Sequence, residues 1–192
     1  LMLPGTALMP ATSEELPAVA ERAGRQAVWL ARQGLRARDL VTRESFENAI
    51  LVHAAISGST NSLLHIPAIA REFGVPVNAM DFDRLHRGAH YLLDIRPAGR
   101  WPAQFFTYAG GVPATMEEIR PMLHLDVMTV TGKTLGENLD ELRETGFYER
   151  CEAHLKPWNL KREDVIRPFA PANGTGGAIG IPLGKLAPRA RV

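Results

Sequence analysis

Residues 57–71 read SGSTNSLLHIPAIAR: a glycine, three small hydrogen-bonding residues, then an apolar run at helical spacing. Ser59, Thr60 and Asn61 all favour helix starts, because their side-chain oxygens accept N–H groups that the first turn leaves unpaired. Leu63, Leu64, Ile66, Ile69 and Ala70 follow at positions that give a helix one buried face. The triplet therefore sits at the positive end of a helix. Such an end favours a carboxylate or phosphate by about 0.3–1 kcal/mol when exposed and about 2 kcal/mol when partly buried. One Ser or Thr before an apolar helix is ordinary punctuation, but three cap-type residues in a row exceed what one cap uses. His65, taken singly, reads as a helix residue with one satisfied nitrogen; beside the triplet it adds a further donor. We read Ser59, Thr60, Asn61 and His65 as the wall of an anion pocket for a substrate carboxylate. Pro67 removes one N–H inside the helical pattern and predicts a kink.

Upstream, Thr42 opens a helix through Phe46, Ile50, Val52 and Ala55 to Ile56, with His53 read first as a packing residue and second as a site residue. Residues 12–33 predict the first helix, with Thr12 and Glu15 at capping-box spacing and Gly34 closing it. Downstream, Pro76 confines residues 75–77 to a sheet edge or a strand start. Asp81 caps a charged surface helix. Asp81, Asp83, His86 and His90 have metal-ligand chemistry, but the His-Glu-His arrangement of a zinc peptidase is absent and Arg84 and Arg87 lie among them. A solvated helix face is the better account.

Residues 91–95 predict a strand, and 96–102 a stiff loop whose two guanidinium groups suit an anion or an interdomain carboxylate. Residues 104–108 form a short helix ended by Gly110 and Gly111, and 115–123 another with Glu117 and Glu118 in its first turn. Residues 128–130 are extended, Thr134 caps a helix through Leu139 and Leu142, and 147–155 is amphipathic. Cys151 packs on that last helix, with no basic cluster to lower its pKa. The GKT at 132–134 is not a phosphate loop, since Val127 stands where the motif needs glycine. Residues 178–181, AIGI, read as a strand in a glycine-rich run. Helices with a few short strands make an α/β domain, or most of one.

The composition narrows the classes. At 192 residues the chain can bury about 70% of its unfolded surface in one core. A net charge of +1 offers nothing to a nucleic acid or a membrane surface. One cysteine excludes an internal disulfide and any multi-cysteine metal site built by this chain alone. Neither a membrane span nor a signal-peptide pattern is present, so a cytoplasmic protein is expected. The chain opens on Leu1 rather than Met and closes just after a glycine-rich run; both ends read as cuts.

Five segments together resemble a known family: LPGTALMPA (3–11), GSTNSLLHIPAIA (58–70), AGGVP (109–113), TVTGKTLGENL (129–139) and GKLAP (184–188). In order and spacing they are similar to the iron–sulfur dehydratases, the family of dihydroxy-acid dehydratase and phosphogluconate dehydratase. Residues 86–113 look most like the sugar-acid branch, in particular the bacterial xylonate dehydratases. The resemblance implies the second half of the family's N-terminal α/β domain (1–173), helix-rich with short strands, plus the first strand of the C-terminal domain (174–192). It implies loss of water from an aldonate such as xylonate to give a 2-keto-3-deoxy acid, in a homo-oligomer. It also implies an iron–sulfur cluster (2Fe-2S or 4Fe-4S) as Lewis acid at the departing hydroxyl and Mg2+ at the carboxylate.

The departures from the family pattern decide what this chain does alone. The family's cluster cysteines lie upstream of the LPGTALMPA segment, and so do its magnesium ligands, apart from one Glu in the C-terminal domain, which also carries the serine base. Cys151 matches no cluster-ligand motif, Lys185 stands where the family has Asn, and Ala190 where it has Gly. The resemblance thus implies no catalytic and no metal-binding residue in these 192, only the substrate-binding Ser59, Thr60, Asn61 and His65, and no turnover by the chain alone. Two alternatives stand beside a sugar-acid dehydratase: a non-catalytic binding or assembly module of the same fold, and a dihydroxy-acid dehydratase of branched-chain amino-acid synthesis. A nucleotide-binding reading on GKT fails on spacing.

Overall fold

In the computed structural model, residues 1–169 and 176–181 are described, and they form a succession of helices. In chain order these are α1 (Leu16–Arg32), α2 (Ala37–Leu40), α3 (Arg43–Ala55), α4 (Ser62–Glu72) and α5 (Ala79–Gly88). There follow α6 (Gln104–Tyr108), α7 (Gly111–Glu118), α8 (Leu135–Glu144) and α9 (Phe147–Ala153). None of them is long and apolar enough to cross a membrane.

α3 is the shaft on which the rest is mounted. Thr42 caps it as expected: its hydroxyl accepts the Ser45 N–H, and the Ser45 hydroxyl accepts the Thr42 N–H at 3.0 Å. Phe46, Ile50, Leu51, Val52, Ala54 and Ala55 are all buried, and a helix apolar on so many sides must be wrapped by its neighbours. Through Leu51, Val52 and Ala55 it joins the main core, with Leu92, Phe105, Phe106, Ile119, Tyr148 and Ile166. Through Ile50 it joins a smaller core of Leu63, Phe82, Ile179 and Ile181, where α4, α5 and residues 176–181 meet. Each such side chain contributes about 1.5–3 kcal/mol on burial.

The sheet of the α/β expectation is not formed among the described residues. Extended segments meet only in isolated bridges: Leu93 with Ile166, Ile95 with Trp101, His90 with Gly176, and Met128 with Thr134. Segment 91–95 spends its backbone elsewhere. The Leu92 N–H goes to the Ala55 carbonyl at the end of α3, and the Asp94 N–H to the Val165 carbonyl. Residues 178–181 likewise join no ladder with other described residues. The expected domain boundary at 173/174 and the GKLAP segment lie outside the described residues.

Three helix starts differ from expectation. α1 begins at Leu16, not Thr12, and Glu15 caps it without a side-chain bond. Pro17 accounts for this: it lacks an N–H and is tolerated only in a first turn, so a start at Thr12 would have put it in the helix interior. α5 is capped by Asn78, whose N–H bonds back to Asp81 at 2.8 Å. Its charged face is exposed as expected at Arg84 and Arg87, but Asp83 and His86 are buried with Phe82 on the other side. α7 starts at Gly111, where Gly110 at φ 96° turns the chain and Pro113 falls in the first turn. Glu117 and Glu118 consequently end α7 instead of opening it.

Candidate functional site

α3 gives way to the Ser59–Asn61 turn over three residues. Ser57 takes a left-handed φ of 55°, and the Gly58 N–H returns to the His53 carbonyl at 2.9 Å. Glycine is required at 58 by a close approach: a Cβ there would lie 2.3 Å from the His53 ring. From Ser59 the chain winds straight into α4, with the Ser62 N–H on the Ser59 carbonyl (3.1 Å) and the Leu63 N–H on the Thr60 carbonyl (3.0 Å). Asn61 is the N-cap, in helical conformation and with no side-chain cap.

This relocates the donors. The first-turn N–H groups of α4 are spent on the carbonyls of the turn, and Ser59 Oγ accepts only the Asn61 N–H, at 3.3 Å. Among the described residues, no protein partner meets the N–H groups of Ser59 and Thr60, the Thr60 hydroxyl, the Asn61 amide or the His65 ring. Ser59, Thr60, Asn61 and His65 are all exposed, and the turn forms a surface, not an enclosed cavity, in this chain. Next to it α4 also exposes Leu64 (58%) and Ile69 (51%), while burying Leu63 and Ala70.

Behind the turn stand His53, read from the sequence first as a packing residue, and His86, read as part of a solvated face. His53 and His86 are buried, with His53 Nδ1 3.2 Å from His86 Nε2. The ends of the pair fix its protons. His53 Nε2 lies 2.9 Å from the Ser59 carbonyl, which can only accept, so that nitrogen carries a hydrogen. The Ile179 N–H donates to His86 Nδ1 at 3.3 Å, so that nitrogen is bare. His86 Nε2–H therefore donates to His53 Nδ1. Burial lowers the pKa of both rings, to about 4 for His86, where the neighbouring His53 adds to the effect and Asp83 opposes it. Only the alternation of His53 with the apolar positions of α3 hinted at burial in the sequence; the pairing itself spans 33 residues and left no local signal.

Elsewhere polar groups are committed to the fold. Arg100 of the 96–102 loop is taken up by Asp94 (2.7 Å), which also holds Arg167 (3.0 Å), so that guanidinium is not offered to a ligand. A groove of about 1290 Å³ between α1 and the α8–α9 pair is lined by Arg22, Gln26, Trp29, Cys151 and His154, among others. Cys151 is half-buried, and burial pushes its thiol up to about 11, which suits packing and not ligation or attack. Among the described residues no three His, Cys, Asp or Glu side chains are grouped to hold a metal ion. The donors among the described residues thus do not fit an iron–sulfur cluster.

Residues 1–138 match the family model for the N-terminal domain of dihydroxy-acid and 6-phosphogluconate dehydratases. The chain belongs to this family. Similar members carry the name dihydroxy-acid dehydratase. One from Methanosarcina acetivorans is 45% identical over 188 residues, covering 98% of this chain and 32% of the relative. Another from Solidesulfovibrio magneticus is 40% identical, covering 98% and 31%, and one from Mycobacterium tuberculosis is 39% identical, covering 100% and 31%. The chain spans about a third of the length of these family members. Their names agree with the family read from the five motifs; xylonate is in none of them.

Proposed function

We propose that this chain is the substrate-carboxylate-facing part of a hydro-lyase that removes water from a 2,3-dihydroxy acid. The observation that carries this is the exposed Ser59–Asn61 turn. It holds two unspent N–H groups, a hydroxyl and an amide at the head of α4, in a chain of the dehydratase family. Anion binding there draws on donors already ordered by the helix, so little is lost in organising them. Thr60 and Asn61 would hold the acid end, the Ser59 N–H would add a third bond, and His65 would border the adjoining hydroxyls.

For the acid itself we favour an aldonate such as xylonate, on the resemblance of residues 86–113 to the sugar-acid branch. The names of the relatives favour a second reading, a branched dihydroxy acid. The cluster and Mg2+ of the family would come from sequence beyond these residues, and the complete protein would be a homo-oligomer. The test is kinetic. In the complete protein, Thr60→Ala with Asn61→Ala should raise KM at least tenfold for whichever of xylonate, arabinonate, gluconate or a branched dihydroxy acid is turned over. Unchanged kinetics would reduce the turn to a helix start. The 192-residue chain by itself should release no keto acid, and measurable release would overturn the division of labour.

A further inference from the structure

Two buried imidazoles joined to each other and to two separate backbone segments are more than core packing requires. The chain of bonds runs one way: Ile179 N–H to His86, His86 Nε2–H to His53, His53 Nε2–H to the Ser59 carbonyl. Both outer segments press onto the rings at glycine. A Cβ at Gly58 would lie 2.3 Å from the His53 ring, and one at Gly177 2.5 Å from His86 Nδ1. The Gly177 N–H also bonds the His86 carbonyl at 2.6 Å. The pair is thus clamped between the turn proposed to bind the acid and residues 176–181.

We propose that His53 and His86 are positioning residues, a neutral two-imidazole bridge that sets the Ser59–Asn61 turn against residues 176–181 and lets it go when protonated. The proposal rests on the reading of that turn as the acid-binding surface. Its chemistry follows from the donor count. A neutral imidazole has one donor and one acceptor, and each ring here uses both. A proton on His86 Nδ1 would face the Ile179 N–H, and one on His53 Nδ1 would face His86 Nε2–H. Either addition sets donor against donor in a site with little water. The charged group facing the pair is Asp83, one turn before His86 on α5, itself held by Arg87 at 2.7 Å and accepting the Ile181 N–H at 3.2 Å. The turn 57–61 and residues 176–181 present no ionisable side chain, and on α3 the ionisable group facing His86 is His53.

The test uses the complete protein labelled with 15N at histidine. Both rings should show the Nε2–H tautomer, stay neutral through pH 6.5, and titrate together well below it. The amide signals of Ser59–Asn61 and Ile179 should move at the same midpoint. His86→Gln offers a donor and an acceptor but takes up no proton; it should hold KM within about twofold and shrink the pH response of the turn's signals between 4 and 6.5, His53 alone being left to titrate. His86→Leu should raise KM about tenfold or more while kcat changes less. A ring in the Nδ1–H tautomer, titration near 6.5, or an acid response undiminished by His86→Gln would overturn the bridge. Should His86→Leu fail to fold, the wild-type titration and His86→Gln still decide. Failure of the functional reading looks different: no acid is turned over, while the tautomers and midpoints remain readable.

Discussion

At the scale of single residues, the molecule separates side chains that are spent from those that are not. Asp94 is spent. Burial alone would raise its carboxyl, but the N–H and guanidinium of Arg100 and the guanidinium of Arg167 more than offset this and hold it below the usual range. Cys151 is spent on packing, with burial and then the nearby Glu15 raising its thiol to about 11. It should resist alkylation at pH 8, reacting far more slowly than a free thiol in a timed iodoacetamide assay; rapid labelling would place it in a different environment. Gly58 is constrained by contact with a ring and not by φ. Gly58→Ala should cost about 1–3 kcal/mol in urea unfolding, from the methyl driven into His53. A neutral outcome would show that the His53 ring has room to move.

At the scale of elements, local chemistry was legible and long-range chemistry was not. Thr42 and Thr134 were read as caps and are caps, because a capping box closes within four residues and owes little to the rest of the fold. Thr134 N–H bonds Glu137 at 2.7 Å and Thr134 Oγ1 accepts the Glu137 N–H at 3.2 Å. Thr134→Ala should therefore lower stability by about 1 kcal/mol, with Thr134→Ser recovering most of it in the same denaturant curve. An equal loss in both variants would assign the effect to the Thr methyl group. Gly34 and Gly110, both at positive φ, were legible as helix stops for the same local reason. The misread starts were local conflicts. The capping-box pattern at Thr12 competed with Pro17 and lost, and the acidic cap at Asp81 was pre-empted by Asn78 three residues earlier. The 91–95 strand failed for a different reason. Its Leu92 and Leu93 are buried, yet its partners are the end of α3, Trp101 and the 165–167 segment, which offer one bond or an isolated bridge each instead of a ladder among the described residues.

At the scale of the whole molecule, the buried histidines beside the core and the paired Asp94 make the fold sensitive to acid. His86 has its pKa lowered from 6.5 to about 4, so the unfolded chain takes up the proton first as pH falls. Its contribution is present above pH 6.5 and is lost between there and about 4, up to about 3 kcal/mol. Asp94, lowered from 3.8, adds a second loss at still lower pH, as protonation releases Arg100 and Arg167. Melting temperature should thus begin to fall below pH 6.5, and His86→Gln should make that first limb shallower, with His53 supplying what remains, while leaving the second. Asp94→Asn should cost about 1–3 kcal/mol at pH 7, a modest sum because both arginines are partly exposed. A melting curve flat from pH 7 to 4 would show that His86 is protonated in the fold. By itself the chain's amino-acid order determined the family, most of the helices and the donor-rich turn, since motifs, caps and apolar spacing act over a handful of neighbouring residues. Tertiary structure alone decided that His53 and His86 share a proton-bonded pair, that Asp83 is buried and that the extended pieces form no ladder among the described residues. Desolvation and pairing depend on groups brought together from 33 and 93 residues apart, and that proximity exists only once α3 is wrapped.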